Sequence, residues 1–187
     1  MDKPSTPVHV SWHESPDADA MAESLSKHLR QQCLDAVAER GMARIGLAGG
    51  STPMAAYADF AAFDMPWPQV RLVLIDERYV PLTDSQSNEA HIAAAFSGVS
   101  AHLGAWQGLY QAAQNIEQAA DAADAAIARF GLPLDVTVIG MGSDGHIASL
   151  FVESADFEAA MDIANPAAVL PIRFAPDAGK TGRLSFS

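Results

Sequence analysis

The richest chemistry lies between Leu134 and Phe151, LDVTVIGMGSDGHIASLF. His146 directly follows Gly145, the last of the glycines Gly140, Gly142 and Gly145. Near neutral pH a histidine can take a proton from water and give it back. A glycine-rich turn lets backbone N–H groups face an anion without Cβ interference. A titratable base and donors for an anion therefore share one turn, with Gly142 and Gly145 as candidate ligand positions. Leu134–Ile139 is apolar and β-branched, which predicts a buried strand before the turn, with a segment of helical character after it. The spacing Gly140-x-Gly142-x-x-Gly145 also fits a dinucleotide-binding turn. That reading needs an acidic residue about 20 positions further on, at the end of a second strand. Asp162 is at that distance but lies in ADFEAAMDIANP, which is not strand-like.

Two other turns carry similar promise. After the predicted strand RIGLA comes Gly49-Gly50-Ser51-Thr52-Pro53 and then MAAYADFAAF. The glycines make the turn, Ser51 or Thr52 is expected to cap, and proline is expected to open the helix. Such a helix start offers free N–H groups, hydroxyls and the positive dipole end. The dipole alone is worth typically about 0.3–1 kcal/mol to a phosphate, so a cation must help. After the predicted buried strand Val70–Ile75 comes Asp76-Glu77-Arg78-Tyr79-Val80-Pro81. Ligands in open α/β sheets bind beyond the carboxyl ends of the strands, where these charges fall. Ser87-Asn88-Glu89 then opens a helix, with Asn88 as its expected cap.

Composition narrows the classes. The 187 residues are 49% hydrophobic and 18% charged, with a formal net charge of −12. That is a globular chain, expected to form a single domain over residues 1–187, and not a nucleic-acid surface. The global field repels an anionic substrate. A phosphate site must therefore be local, which gives weight to each of only eleven Lys plus Arg. No apolar run approaches a membrane span and no signal-peptide core opens the chain, so no membrane partner is expected. Cys33 is the single cysteine. It rules out an intrachain disulfide, fits a cytoplasmic setting and is expected to be a buried structural thiol.

The remaining elements position these turns. Val8–Trp12 reads as a first strand. Ser15-Pro16 is expected to start a helix with Met21, Leu25, Leu29, Cys33 and Val37 as its apolar stripe and Gly41 as its stop. Residues 103–110 read as loop. Gln111–Phe130 reads as an alanine-rich helix, with Glu117, Asp121 and Asp124 on a solvated face. Residues 168–172 and Arg183–Ser187 read as further strands. Repeated strand–turn–helix units predict an α/β fold with a mostly parallel sheet and helices on both faces.

GGSTP, DER, a downstream Ser-Asn and GMGSDGHIASLF, in this order, resemble the 6-phosphogluconolactonase family over residues 21–151. The glucosamine-6-phosphate deaminases share the glycine turn and the DGH triplet but differ at DERYVP and ASLF. The resemblance implies a Rossmann-like fold and hydrolysis of 6-phospho-D-glucono-1,5-lactone to 6-phosphogluconate without a required metal or redox cofactor. It implies His146 as the base, Arg78 as the arginine of DER, and Arg183 as the arginine opening the C-terminal strand. A deaminase or isomerase and a non-catalytic phosphosugar sensor are the alternatives. The residues fit a lactonase, since a lactone is an activated ester that needs deprotonated water and a stabilised oxyanion. Turn amides from Gly142 to Gly145 are candidate oxyanion donors. Arg78 can grip a phosphate in bidentate fashion, with Gly49, Gly50, Ser51 and Thr52 assisting. Asp144 and Asp76 are both candidates to orient His146. Ser51 or Ser149 as a nucleophile lacks a G-x-S-x-G elbow. Within the family a further strand and helix follow the RLSFS-like strand. The domain is therefore expected to be either incomplete at its C-terminus or a short variant, acting as a monomer or weak homodimer.

Overall fold

A computed structural model describes residues 9–187. The first helix, α1, spans Ala18–Arg40. The Asp17 carboxylate, not Ser15, caps it by accepting from the Ala20 N–H at 2.8 Å, and Gly41 closes it in the left-handed region. Its buried face is Ala22, Ser26, Leu29, Cys33 and Ala36. The expected four-residue stripe is corrected for a geometric reason. Steps of four advance about 40° past a full turn, so such a stripe drifts, whereas alternating steps of four and three stay on one face. Met21, Leu25 and Val37 flank that face half-buried. Cys33 is buried as expected, and its thiol is pushed up to about 11 by burial and then by the Asp135 charge. Of the expected strand Val8–Trp12, residues 9–12 form no strand and Val8 lies outside the described residues.

A four-stranded parallel sheet forms the centre. It contains β1 (Ala43–Leu47), β2 (Val70–Leu74), β4 (Ala105–Gln107) and β5 (Val136–Thr137) in the order β4-β2-β1-β5. Ile45 pairs with Leu72 and Leu47 with Leu74, all fully buried. Parallel strands covered on both faces are apolar throughout, which is why VRLVL and ARIGL read so clearly. The helices α2 (Met54–Ala61), α3 (Asn88–Ala95) and α4 (Ile116–Phe130) complete the flanking layers. Phe60, Trp67 and Phe96 pack edge-to-face within the core. The strand β4 falls in a segment read as loop, because three half-buried residues carry too little pattern.

Two expectations about strands are revised. Leu134–Ile139 yields only the two-residue β5, half-exposed at a sheet edge and paired to β1 alone among the described residues, with Ile139 exposed. Further, not all strands join one sheet. β3 (Asp76–Arg78), β6 (Val169–Ile172) and β7 (Arg183–Phe186) make a separate antiparallel sheet in the order β3-β7-β6. Ile75 links the two sheets: its N–H donates to the Leu47 carbonyl and its carbonyl accepts from the Phe186 N–H. Asp124 is not on a solvated face. Its carboxylate accepts from the Ala168 and Val169 N–H groups and so ties α4 to the start of β6. A last short helix, α5, spans Phe157–Met161.

Candidate active site

The antiparallel register sets Arg78 directly opposite Arg183, with Asp76 opposite Ser185. Like charges placed across a strand pair are destabilising. Here the arrangement costs more, because Arg183 is largely buried. Burial, and then the Arg78 charge, hold its guanidinium below the usual arginine range. The Nε atoms of both arginines are buried without an acceptor among the described residues. Arg78 uses one Nη1–H on the Gln86 carbonyl at 2.7 Å. Two apposed guanidiniums with unspent donors suit an anion with several oxygens.

Glu77, between Asp76 and Arg78 in sequence, faces the other way. Its carboxylate is fully buried and accepts from the backbone N–H groups of Arg78, Asn88 and Glu89 and from the Ser87 hydroxyl. Burial pushes its carboxyl up, and those donors pull it back. Glu77 thereby fastens β3 to the start of α3. The side-chain cap of α3 is Ser87, which accepts from the Ala90 N–H, and not Asn88 as expected. Asn88 turns inward. Its Nδ2 donates to the Asp76 carbonyl at 3.1 Å, and its Oδ1 is buried without a donor among the described residues.

The segment from Gly140 to Phe151 is a hairpin-like loop and no helix follows it directly. Met141 bridges Ile147, the Gly142 N–H donates to the His146 carbonyl at 2.8 Å, and the Gly145 N–H donates to the Gly142 carbonyl at 2.9 Å. This corrects the expectation that the Gly142 and Gly145 amides face a ligand: both are spent inside the loop. It also removes the dinucleotide reading, which requires a strand, a turn and then a helix. Gly142 instead permits a close approach, since a Cβ there would lie 2.3 Å from the His146 ring. The His146 Nδ1 is 2.5 Å from Asp144 Oδ1, and the ring stacks on Phe151 at 3.9 Å between centroids. Asp144, not Asp76, is thus the carboxylate that orients the imidazole. It leaves Nε2 as the ring nitrogen available to a substrate. The His146 hydrogen bond holds the Asp144 carboxyl below its usual range.

Asp76 has another task. It is nearly buried and accepts from the Ser149 hydroxyl at 2.7 Å. Ser149 is fully buried, so it anchors the loop to β3 and is not placed to act as a nucleophile. Between these anchors Ala148 adopts a left-handed φ of 47°, a conformation costly for a residue with a Cβ.

These segments meet in one cavity of about 280 Å³. Gly49, Gly50 and Thr52 line it from the start of α2, and Asp76 and Arg78 from β3. Asn88, Gly142, His146 and Arg183 complete the wall. No side chain caps α2, whose first turn begins after Pro53, so the expected capping by Ser51 or Thr52 is not found. Among the described residues the Gly50 and Thr52 N–H groups have no protein acceptor. Ser51 lies outside the cavity and lines a neighbouring hollow with His91. Gly145 likewise faces a second hollow lined by Ile147, Val152 and Met161. Sequence reasoning missed the inward turn of Asn88 and the stacking of Phe151. Asn88 was marked in the sequence by the Ser-Asn pair, and its inward turn is matched by Gly49, where a Cβ would lie 2.0 Å from the Asn88 Oδ1.

An α/β fold with His146, held by Asp144, and two arginines lining one cavity suits an enzyme that acts on small anionic molecules. Residues 16–187 match the family described as glucosamine-6-phosphate isomerases/6-phosphogluconolactonase, and the chain belongs to that family. It is 36% identical over 165 residues to the 6-phosphogluconolactonase of Mesorhizobium japonicum, covering 88% of this chain and 69% of that one. It is 37% identical over 180 residues to that of Rhizobium meliloti, covering 96% of this chain and 77% of the relative. The crystal structure of a 6-phosphogluconolactonase from Shewanella baltica superposes with a TM-score of 0.83 at 29% identity, over 91% of this chain and 72% of that one. No described helix is long and apolar enough to cross a membrane.

Proposed function

We propose that the protein hydrolyses 6-phospho-D-glucono-1,5-lactone to 6-phosphogluconate, a reaction of the pentose phosphate pathway. The observation that carries this reading is the single cavity lined by both the His146 imidazole and the Arg78 and Arg183 side chains. Family membership and the named relatives support the same reaction. In this account Arg78 and Arg183 hold the phosphate, and the sugar ring extends toward His146. Nε2 takes a proton from water, whose oxygen attacks the C1 carbonyl. A tetrahedral oxyanion forms and collapses with cleavage of the C1–O5 bond. The ring oxygen leaves as an alcohol by taking the proton back from His146, and the acid product ionises. General-base assistance of this kind is worth roughly 10²–10⁴-fold. The unspent donors of the cavity, the Gly50 and Thr52 amides and the guanidinium Nε–H groups, serve the phosphate and the oxyanion. The single cysteine fits a cytoplasmic enzyme.

A coupled assay for 6-phosphogluconate, corrected for spontaneous lactone opening, tests the reading. Wild-type protein is expected to accelerate opening, and His146→Ala to lose most of that acceleration. Ammonia release from glucosamine 6-phosphate, with no lactone hydrolysis, would decide for a deaminase.

A further inference from the structure

The base of this site rests on an aromatic ring that the reaction itself does not require. Phe151 is buried, and the His146 imidazole lies on it at 3.9 Å and 25°. The same ring has the Arg183 guanidinium carbon 5.0 Å and the Lys180 ammonium nitrogen 4.3 Å from its centroid. Both are within cation–π range. Phe174 meets Phe151 edge-on at 5.2 Å, and Lys180 is paired with Glu153 two residues beyond Phe151. One ring thus touches the base, an arginine of the anion clamp and the lysine of the loop before β7.

The hydrogen bond to Asp144 alone does not fix the imidazole. It restrains Nδ1 but leaves the ring free to swing about that contact, and the Asp144 side chain is 53% exposed. A second contact on the ring face is needed to set its plane, and Phe151 is the group that makes it. Misplacing a reacting group by about 1 Å can cost on the order of a hundredfold in rate.

We infer that Phe151 is a positioning residue for the hydrolysis. It sets the plane of His146 so that Nε2 faces the cavity. The inference rests on the lactonase reading, and the two fail differently. A wild-type protein that leaves the lactone untouched contradicts the reading. A wild-type lactonase indifferent to Phe151 contradicts only the inference.

The test combines kinetics with nuclear magnetic resonance. Phe151→Leu, checked for folding by thermal melting, is expected to lower kcat about ten- to a hundredfold. KM should stay within about twofold, as for an interaction used in the transition state. Phe151→Tyr, which keeps the ring, should retain most of the wild-type kcat. In a His146→Ala background Phe151→Leu should have no further effect. Should Phe151→Leu not fold, Phe151→Met, which is unbranched and adaptable, replaces it. Independently of any variant, the His146 ring protons of the wild type should resonate upfield of those of exposed histidines, shifted by the ring current of Phe151. Unchanged kcat in the leucine or methionine variant would overturn the inference. So would His146 ring protons at the positions of exposed histidines.

Discussion

The two sheets solve opposite problems. In the parallel sheet, β1 and β2 bring Ile45, Leu47, Leu72 and Leu74 together with no exposed surface. In the antiparallel sheet, β3 and β7 bury Asp76, Glu77 and Ser185 and set two arginines face to face. The first is stable because apolar area leaves water, at roughly 25 cal/mol per Å². The second contains groups that are costly to bury alone and is tolerable only because nearly every one has a partner. Glu77 takes four donors, and Asp76 takes the Ser149 hydroxyl. The exceptions are the Arg78 and Arg183 Nε atoms and the Asn88 Oδ1, and all three residues line the cavity. Scaffold and site are thus separated by sheet, and the unpaired polar atoms of this small sheet and its helix collect where a substrate can pair them.

Substitutions can break that separation, and the largest effect is expected at the loop that faces both. His146→Ala should lower kcat by roughly 10²–10⁴-fold with little change in denaturation midpoint. A large loss of stability with unchanged turnover per folded molecule would contradict the division. Leu72→Ala should do the reverse. It should cost about 2–5 kcal/mol in a denaturant titration and leave KM of the folded fraction unaltered. Arg78→Ala should raise KM for the phosphorylated lactone about ten- to a hundredfold, because a hydrogen bond to a charged group is worth about 1.5–3 kcal/mol. Its effect on unphosphorylated gluconolactone should be far smaller, and equal effects would remove the phosphate from Arg78. The smallest effect concerns Asp144, an exposed group. A carboxyl held below its ordinary range in the fold stabilises it above the unfolded pKa, and loses that contribution as pH falls through the folded value. The stability gap between wild type and Asp144→Asn should therefore close as the pH is lowered from neutral to well below about 3.9. A gap that persists undiminished well below about 3.9 would contradict the His146–Asp144 contact.

The sequence conveyed the scaffold better than the site. VRLVL and ARIGL were legible because a doubly covered strand is apolar at every position. β4, β5 and the departure of β3 were not, because strands of only two or three residues have no period to detect. At the site, the glycines and the charges of GGSTP, DER and GMGSDGH marked the right loops. Residue type could not distinguish roles within them. Glu77 and Arg78 are adjacent and charged, yet strand alternation sends one to the first backbone N–H groups of α3 and the other to the cavity. The glycine loop could equally have opened a helix with free amides. Instead it folds back on itself, because the Gly142 N–H reaches the His146 carbonyl.

The central claim is that binding and bond cleavage are divided between the arginine-bearing sheet and the histidine loop. Calorimetric titration of His146→Ala with 6-phosphogluconate, paired with its lactone-hydrolysis rate, tests this most directly. The account predicts an affinity close to that of the wild type together with hydrolysis near the spontaneous rate. Hydrolysis by His146→Ala at the wild-type rate would contradict it.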